Sequence, residues 1–131
     1  MTPGYQPLSA RQTFDRMLKG EEPYVARGDF LDDWRRRATP EQRLLMAREP
    51  VAATDSPELV RWASYLAAAV EALCLETATP VPPWVGEDRF FLTEPWFLHP
   101  YWKLRPWVLA TTPGPFRRRN IFGGENMLDR I

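Results

Sequence analysis

The sequence predicts an all-α fold, in which a small helical bundle carries an irregular proline- and tryptophan-rich C-terminal segment packed across it. Helix-start signals recur in the first half, and an apolar stripe at helical spacing follows over Pro57–Glu76. Fourteen prolines interrupt the chain, and those in the last third forbid another long helix. The 131 residues fit a single domain. We expect a loose lead-in over residues 1–8, a helical core over 9–76 and the wrapping segment over 77–131.

Capping residues mark three helix starts. Ser9 followed by Gln12, and Thr39 followed by Gln42, form capping boxes in which each side chain can accept a hydrogen bond from the other residue's backbone N–H. Ser56 precedes a proline as Thr39 does, and proline is favoured at the first helical position. These signals predict helices that begin at Ser9, Thr39 and Ser56.

A further helix is predicted over residues 26–37, where Phe30, Leu31 and Trp34 fall on one apolar face. Aspartates come early in this segment and arginines come late, which complements the helix dipole. Gly20 and the Glu-Glu-Pro sequence that follows it are expected to end the preceding helix. The charged residues of this region are interpreted as a solvated face.

Pro57–Glu76 is expected to be the central helix of the core. Its apolar stripe consists of Leu59, Trp62, Ala63, Leu66, Val70, Leu73 and Cys74. Alanines at positions 67 to 69 would let a neighbouring element approach closely. Because Cys74 lies on the apolar face, we interpret it as a small hydrophobic residue and not as a nucleophile.

The secondary structure of the last third is ambiguous because prolines divide it into short pieces. Residues 101–110 fit either one kinked helix or a turn followed by a helix that starts at Pro106. Residues 116–122 are compatible with an extended segment, and residues 125–130 with a final helical turn. Gly123 and Gly124 between them are interpreted as a flexible pair.

Charge is balanced overall but uneven along the chain. A net charge of zero argues against a protein that binds nucleic acid through its overall charge. Residues 56–88 hold one basic and five acidic side chains, whereas residues 89–131 hold seven basic and three acidic ones. The two segments could therefore attract each other, or each could face a partner of opposite charge.

The cellular location is inferred from three features that the sequence does not contain: a pair of cysteines, a signal peptide and a membrane span. A single cysteine permits no intramolecular disulfide, which suits a reducing compartment. The N-terminus has neither the basic start nor the apolar run of a signal peptide. Since no apolar stretch approaches the roughly 20 residues of a membrane span, we expect a cytoplasmic protein that does not enter a membrane.

No constellation of residues predicts catalysis. His99 is the only histidine, so a metal site or a Cys74–His99 nucleophile pair would lack the usual further members. The glycine pair has no following lysine and does not resemble a phosphate loop. We expect a non-catalytic protein without cofactor or metal, and a small enzyme of unrecognised class stays open as an alternative.

The arginine triplet and the nearby aromatic side chains are the candidate binding residues. Guanidinium groups can bind phosphate, form internal ion pairs with the acidic middle segment, or contact a protein partner, and all three interpretations stay open. Tryptophan and arginine are also the residues enriched at interface hot spots. The predicted contact surface consists of Trp96, Phe97, Phe116, Arg117, Arg118, Arg119 and Asn120.

Four pieces of the chain, in this order, resemble a bacterial family: FLDDW with a following TPEQR, a WASYLAAAVEALC helix ending in TPVPPWV, EPWFL, and TPGPFRRRNIFGGENMLDRI. They are similar to short proteins that resemble the C-terminal regions of Cro/repressor-type regulators encoded beside nucleotidyltransferase-like toxins. The resemblance runs from about Gly28 to the end. It implies an antitoxin-like protein whose partner is a toxin or nucleotidyltransferase-like enzyme. Too few residues precede Gly28 for a complete helix-turn-helix domain, which argues against direct operator binding.

Three functions follow as expectations. The first is a non-catalytic protein-binding module, with a toxin-like protein or a second copy of the chain as its partner. The second is a nucleic-acid-associated regulator that uses Arg117, Arg118 and Arg119. The third is the small enzyme of unrecognised class.

Overall fold

The predicted all-α fold is confirmed by a computed structural model that describes residues 6–98 and 102–129. Within these ranges the only strands are two of two residues each. The helices are α1 (Ala10–Leu18), α2 (Pro23–Asp32), α3 (Pro40–Arg48), α4 (Pro57–Glu76), α5 (Arg105–Thr111) and α6 (Gly114–Arg117). None of the described helices is both long enough and apolar enough to span a membrane.

All three predicted helix starts are confirmed. The Ser9 hydroxyl accepts a 3.1 Å bond from Gln12 N, and Gln12 Oε1 accepts a 3.0 Å bond from Ser9 N. Thr39 and Gln42 form the same reciprocal pair, at 3.2 and 2.8 Å. Ser56 caps α4 through its side chain. Each cap satisfies backbone N–H groups that have no partner inside the helix.

The second helix starts earlier than predicted, and its last turn, which ends at Arg37 as predicted, is π-helical. It begins at Pro23, because the Glu22 carboxylate caps it by accepting bonds from the N–H groups of its first turn. It ends in a π-helical turn over Asp33–Arg37, closed by a 2.8 Å bond from Ala38 N to Asp33 O. The turn places the buried Asp33 carboxylate against the N-terminal segment, where it accepts a 2.7 Å bond from Leu8 N.

Helix α4 forms the centre of the core, as predicted. Residues 62–70 are all buried, so the middle of the helix is covered on every side and not only along one stripe. It packs against α1, α6 and two 3-10 turns, Pro83–Gly86 and Asp88–Phe90. The C-terminal segment therefore wraps across the helix that the N-terminal helices also cover.

The wrapping segment is tied together by two short strands. β1 (Trp96–Phe97) pairs in parallel with β2 (Ile121–Phe122). Trp96 N donates a 2.8 Å bond to Asn120 O, and Leu98 N donates a 3.0 Å bond to Phe122 O. This pairing brings the loop after α4 and the end of the chain side by side.

The structure resolves the ambiguity over residues 101–110. Between residues 101 and 110, a 3-10 turn over Trp102–Leu104 precedes α5, which has Pro106 in its first turn. The turn-then-helix alternative is therefore the better description, and Tyr101 lies outside the described residues.

The extended assignment of residues 116–122 is wrong for most of its length. Helix α6 runs through Arg117, and a turn over residues 118–120 follows before β2 begins. Bonds from Arg119 N to Phe116 O and from Asn120 N to Arg117 O, both 3.0 Å, curl the backbone here. Residues 125–128 form turns instead of a final helix, and Arg130 lies outside the described residues.

Candidate functional site

Arg119 is the most buried of the three adjacent arginines, with 1% of its surface exposed. Its Nη2 donates 2.8 Å and 2.7 Å bonds to Glu71 Oε1 and Val85 O, and its Nη1 donates a 2.7 Å bond to Pro115 O. Arg118 donates to the other oxygen of Glu71. Burial, and then the charge of Arg118, lower the pKa of Arg119 to about 10. The contacts of these two arginines correspond to the internal ion pair with the acidic middle segment.

Arg117 and Asn120 hold backbone carbonyls. Arg117 lies at the surface and its Nη2 donates to Ala110 O and Thr112 O, at 3.1 and 3.0 Å. Asn120 has a positive φ of 68° and donates a 3.0 Å bond from Nδ2 to Leu92 O. Asparagine is one of the few residues that tolerate this backbone conformation. Both residues thus fasten the wrapping segment to itself.

The predicted aromatic contact residues differ in exposure. Phe116 is fully buried. Trp96 is half-buried and meets Trp62 edge to face, with ring centroids 5.0 Å apart. Phe97 is also half-buried and stacks on Phe122 at 5.3 Å. Trp96 and Phe97 therefore keep part of their surface accessible, whereas Phe116, like Arg119, presents none to a partner.

A surface on and beside α5 lies, except for Arg117, outside the contact surface predicted from the sequence. We define the α5 patch as Lys103, Leu104, Arg105, Trp107, Leu109 and Arg117, all of them exposed. Leu104, Trp107 and Leu109 expose 39%, 38% and 45% of their surfaces. The sequence did carry a signal for it: between Glu94 and Glu125 there is no acidic residue, while lysine and arginine recur.

The α5 patch is fixed to the core by a few side chains. Val108 is the one buried residue of α5. At the end of the helix, Thr112 Oγ1 accepts bonds from Gly123 N and Gly124 N, at 3.3 and 2.9 Å. The guanidinium carbon of Arg105 lies 4.4 Å from the ring centroid of Phe97, a cation–π contact. These contacts position a helix whose remaining surface faces solvent.

The glycine pair serves close packing, which corrects its interpretation as a flexible link. Both glycines are buried. A Cβ on Gly123 would lie 2.2 Å from the sulfur of Met127, and a Cβ on Gly124 would lie 2.6 Å from ring atoms of Trp107. Gly124 also has a φ of 85°, which other residues rarely adopt. The pair therefore lets Trp107 and Met127 pack directly on the backbone.

A second buried arginine secures the end of the described chain. Arg27 exposes 4% of its surface, and its Nε donates a 2.6 Å bond to Tyr65 Oη. Its Nη2 donates to Met127 O and Asp129 O at 3.0 and 2.7 Å, and Tyr65 Oη also donates to Met127 O. Desolvation by burial raises the pKa of Tyr65, although the charge of Arg27 opposes this. Here too an arginine binds backbone of the wrapping segment.

The described residues hold no candidate metal cluster, and Cys74 of the hypothetical nucleophile pair is buried. They contain no group of three or more His, Cys, Asp or Glu side chains that could hold a metal ion. Burial raises the pKa of the Cys74 thiol to about 11, so the reactive thiolate is disfavoured at neutral pH. His99, the other member of the hypothetical pair, lies outside the described residues.

A cleft at the N-terminal end of the described chain has a mixed-charge lining. It measures about 790 Å³ and is lined by residues from the N-terminal segment, α1, α2 and the π-helical turn. Arg16 donates a 2.8 Å bond to Asp29 and also pairs with Glu21; these two hydrogen bonds, Glu21 first, raise its pKa. Because the lining combines four carboxylates with three cations, it favours neither an anion nor a cation.

The chain matches no family model, no curated protein and no solved structure.

Proposed function

We propose that this chain is a non-catalytic protein-binding module. The observation that carries the proposal is the α5 patch, where apolar and cationic side chains stand together at the surface of an otherwise well-packed C-terminal segment. Exposed apolar groups beside arginine are the composition enriched at protein interfaces. The accessible parts of Trp96 and Phe97 would extend the same contact region through Arg105, which lies on Phe97.

The resemblance noted in the sequence supports a more specific form of this proposal. The partner would be a toxin or a nucleotidyltransferase-like enzyme, and the chain would act on it in the cytoplasm as an antitoxin-like protein. In this scheme Arg118, Arg119 and Asn120 hold the wrapping segment in place, and the α5 patch contacts the partner.

The contacts of the arginine triplet favour a protein partner over nucleic acid. Arg119 is buried on Glu71, and Arg118, although exposed, already pairs one guanidinium nitrogen with the same carboxylate, so the triplet does not present three free guanidinium groups to phosphate. The exposed leucines Leu104 and Leu109 also gain nothing from a phosphate backbone, whereas a protein partner could cover them.

The test is affinity capture of the tagged full-length chain from its own host, with and without nuclease, followed by mass spectrometry. We expect a stoichiometric protein that survives nuclease treatment. Leu109→Glu should reduce its recovery, whereas Leu45→Glu, at an exposed leucine of α3, should not. Recovery of nucleic acid alone would favour the regulator, and recovery of the chain alone would refute the binding proposal.

A further inference from the structure

The α5 patch has a defined chemistry as well as an exposed apolar surface. Lys103 and Arg105 lie at the start of α5. Arg117 lies at its end, where it donates to Ala110 O and Thr112 O. Leu109 lies between these two groups of cations. No acidic residue occurs in the sequence between Glu94 and Glu125 that could neutralise these cations from a neighbouring position.

We infer that the α5 patch docks a short acidic segment of a partner protein, with apolar side chains between or beside its carboxylates. The inference rests on the proposed function and names the chemistry of the partner. Carboxylates would pair with the cations at the two ends of α5, since complementary charge sets specificity and the rate of encounter. Apolar side chains would cover the exposed leucines and the edge of Trp107.

Helical spacing brings the two kinds of side chain together. Arg105 and Leu109 are four residues apart in α5, so this cation and this apolar side chain lie on one side of the helix. An occupant that runs along the helix therefore meets a cation and an apolar group on the same side. A purely charged ligand would leave the leucines uncovered, and a purely apolar ligand would leave the cations unpaired.

The α5 patch is held in place before any partner arrives. Arg105 is stacked on Phe97, Arg117 is fixed by two carbonyl groups, and Trp107 packs on Gly124. Side chains that are already ordered lose less conformational entropy when they bind. We therefore expect a partner to bind the α5 patch without rearranging its side chains.

The size of the surface limits the occupant. α5 has seven residues, which at about 1.5 Å per residue is about 10 Å of helix. A standard interface buries roughly 800 Å² per partner, which so short a helix does not supply, so the patch alone fits a short segment bound weakly. Binding that depends on exposed ion pairs is also expected to weaken as salt rises.

The test is selection of a displayed library of random peptides of about 12 residues, which is longer than the roughly 3 extended or 7 helical residues needed to span α5. The bait is the purified full chain. The patch variant is Lys103→Glu with Leu109→Glu, both exposed positions outside the contacts that fix α5. The matched control is Arg48→Glu with Leu45→Glu, an exposed cation and an exposed leucine on α3.

We expect selected peptides that combine acidic and apolar residues. Measured by fluorescence anisotropy, the best of them should bind the patch variant about tenfold more weakly and the control variant about as well as the unchanged chain. A melting curve of each variant checks that it is folded. Peptides without acidic residues, equal binding to the patch variant, or no enriched peptide would each overturn the inference.

The remaining outcomes separate the inference from the proposed function. A labelled single-stranded oligonucleotide that competes with the selected peptide and binds more tightly would overturn the inference by making nucleic acid the occupant. A cellular partner captured equally by the patch variant would overturn it while leaving the proposed function intact. Selected acidic peptides with no cellular partner would support the chemistry of the patch and contradict the proposed function.

Discussion

Arg119 Nη2 lies 2.8 Å from Glu71 Oε1, and this ion pair joins the end of the chain to the central helix. The Arg119 side chain is 1% exposed and that of Glu71 is 14% exposed, so little water screens the pair. The same guanidinium donates to Val85 O and Pro115 O. One buried arginine therefore connects α4, the turn after it and α6.

Loss of the shared carboxylate should destabilise the fold strongly. Glu71→Gln leaves the buried Arg119 without its counter-charge, and breaking a buried pair on one side costs about 3–5 kcal/mol. Urea unfolding followed by tryptophan fluorescence measures the change. Glu58→Gln, at an exposed acid in the first turn of α4, should cost less than about 1 kcal/mol. Equal losses for the two variants would contradict this role of Glu71.

An alanine at the second glycine of the pair should disturb Trp107. Gly124→Ala introduces a Cβ 2.6 Å from the indole ring and forces a non-glycine residue to a φ of 85°. We expect a loss of about 1–3 kcal/mol in the free energy of unfolding, with a shift in tryptophan emission. Gly114→Ala has open space and should be nearly neutral. A neutral Gly124→Ala would show that Trp107 can move away at no cost.

Removal of one phenolic hydroxyl should loosen the end of the chain. Tyr65→Phe leaves the buried Nε of Arg27 without its 2.6 Å acceptor, and a buried polar group without a partner costs about 1–3 kcal/mol. Hydrogen exchange at residues 127–129 should accelerate. The control is Tyr24→Phe, because Tyr24 exposes 44% of its surface and its ring is retained. Unchanged exchange in Tyr65→Phe would rule out this role for the hydroxyl.

The only cysteine should react slowly while the protein is folded. Burial raises the pKa of the Cys74 thiol to about 11, above the roughly 8.5 of a free thiol. Because the folded state keeps the thiol proton to higher pH than the unfolded state does, this thiol's contribution to stability should fall as pH rises from about 8.5 towards 11. At pH 8, labelling by an aromatic disulfide reagent should await unfolding and should accelerate with added urea. Rapid labelling of the native protein would contradict this.

Much of the helical framework could be predicted from the sequence because its signals are local. Capping by Ser9 and Thr39 involves residues only three positions away, and the stripe of α4 is read from its own residues. The π-helical turn after α2 could not be predicted in this way. It is accompanied by a contact from Leu8 to the Asp33 carboxylate, and those residues are 25 positions apart.

The structure divides the predicted contact residues by exposure. Trp96, Phe97, Arg117 and Arg118 keep accessible surface, but Phe116 and Arg119 are buried. The α5 patch was missed because helical pattern cannot say which side of a short, apolar helix is covered. In RPWVLAT only Val108 is buried, and this depends on where the rest of the wrapping segment lies.

By itself the sequence determined the helical class, the starts of α1, α3 and α4, and the central position of Pro57–Glu76, since these depend on hydrogen bonds and periodicity within a few turns. Only the tertiary structure decided the roles of three adjacent arginines. Arg119 and Arg118 reach Glu71 on α4, 48 and 47 positions away, while Arg117 turns to the end of α5. Neighbouring residues in the sequence do not fix the contacts of a run of charged side chains. The packing of distant elements therefore decides which of these side chains are buried and which remain at the surface.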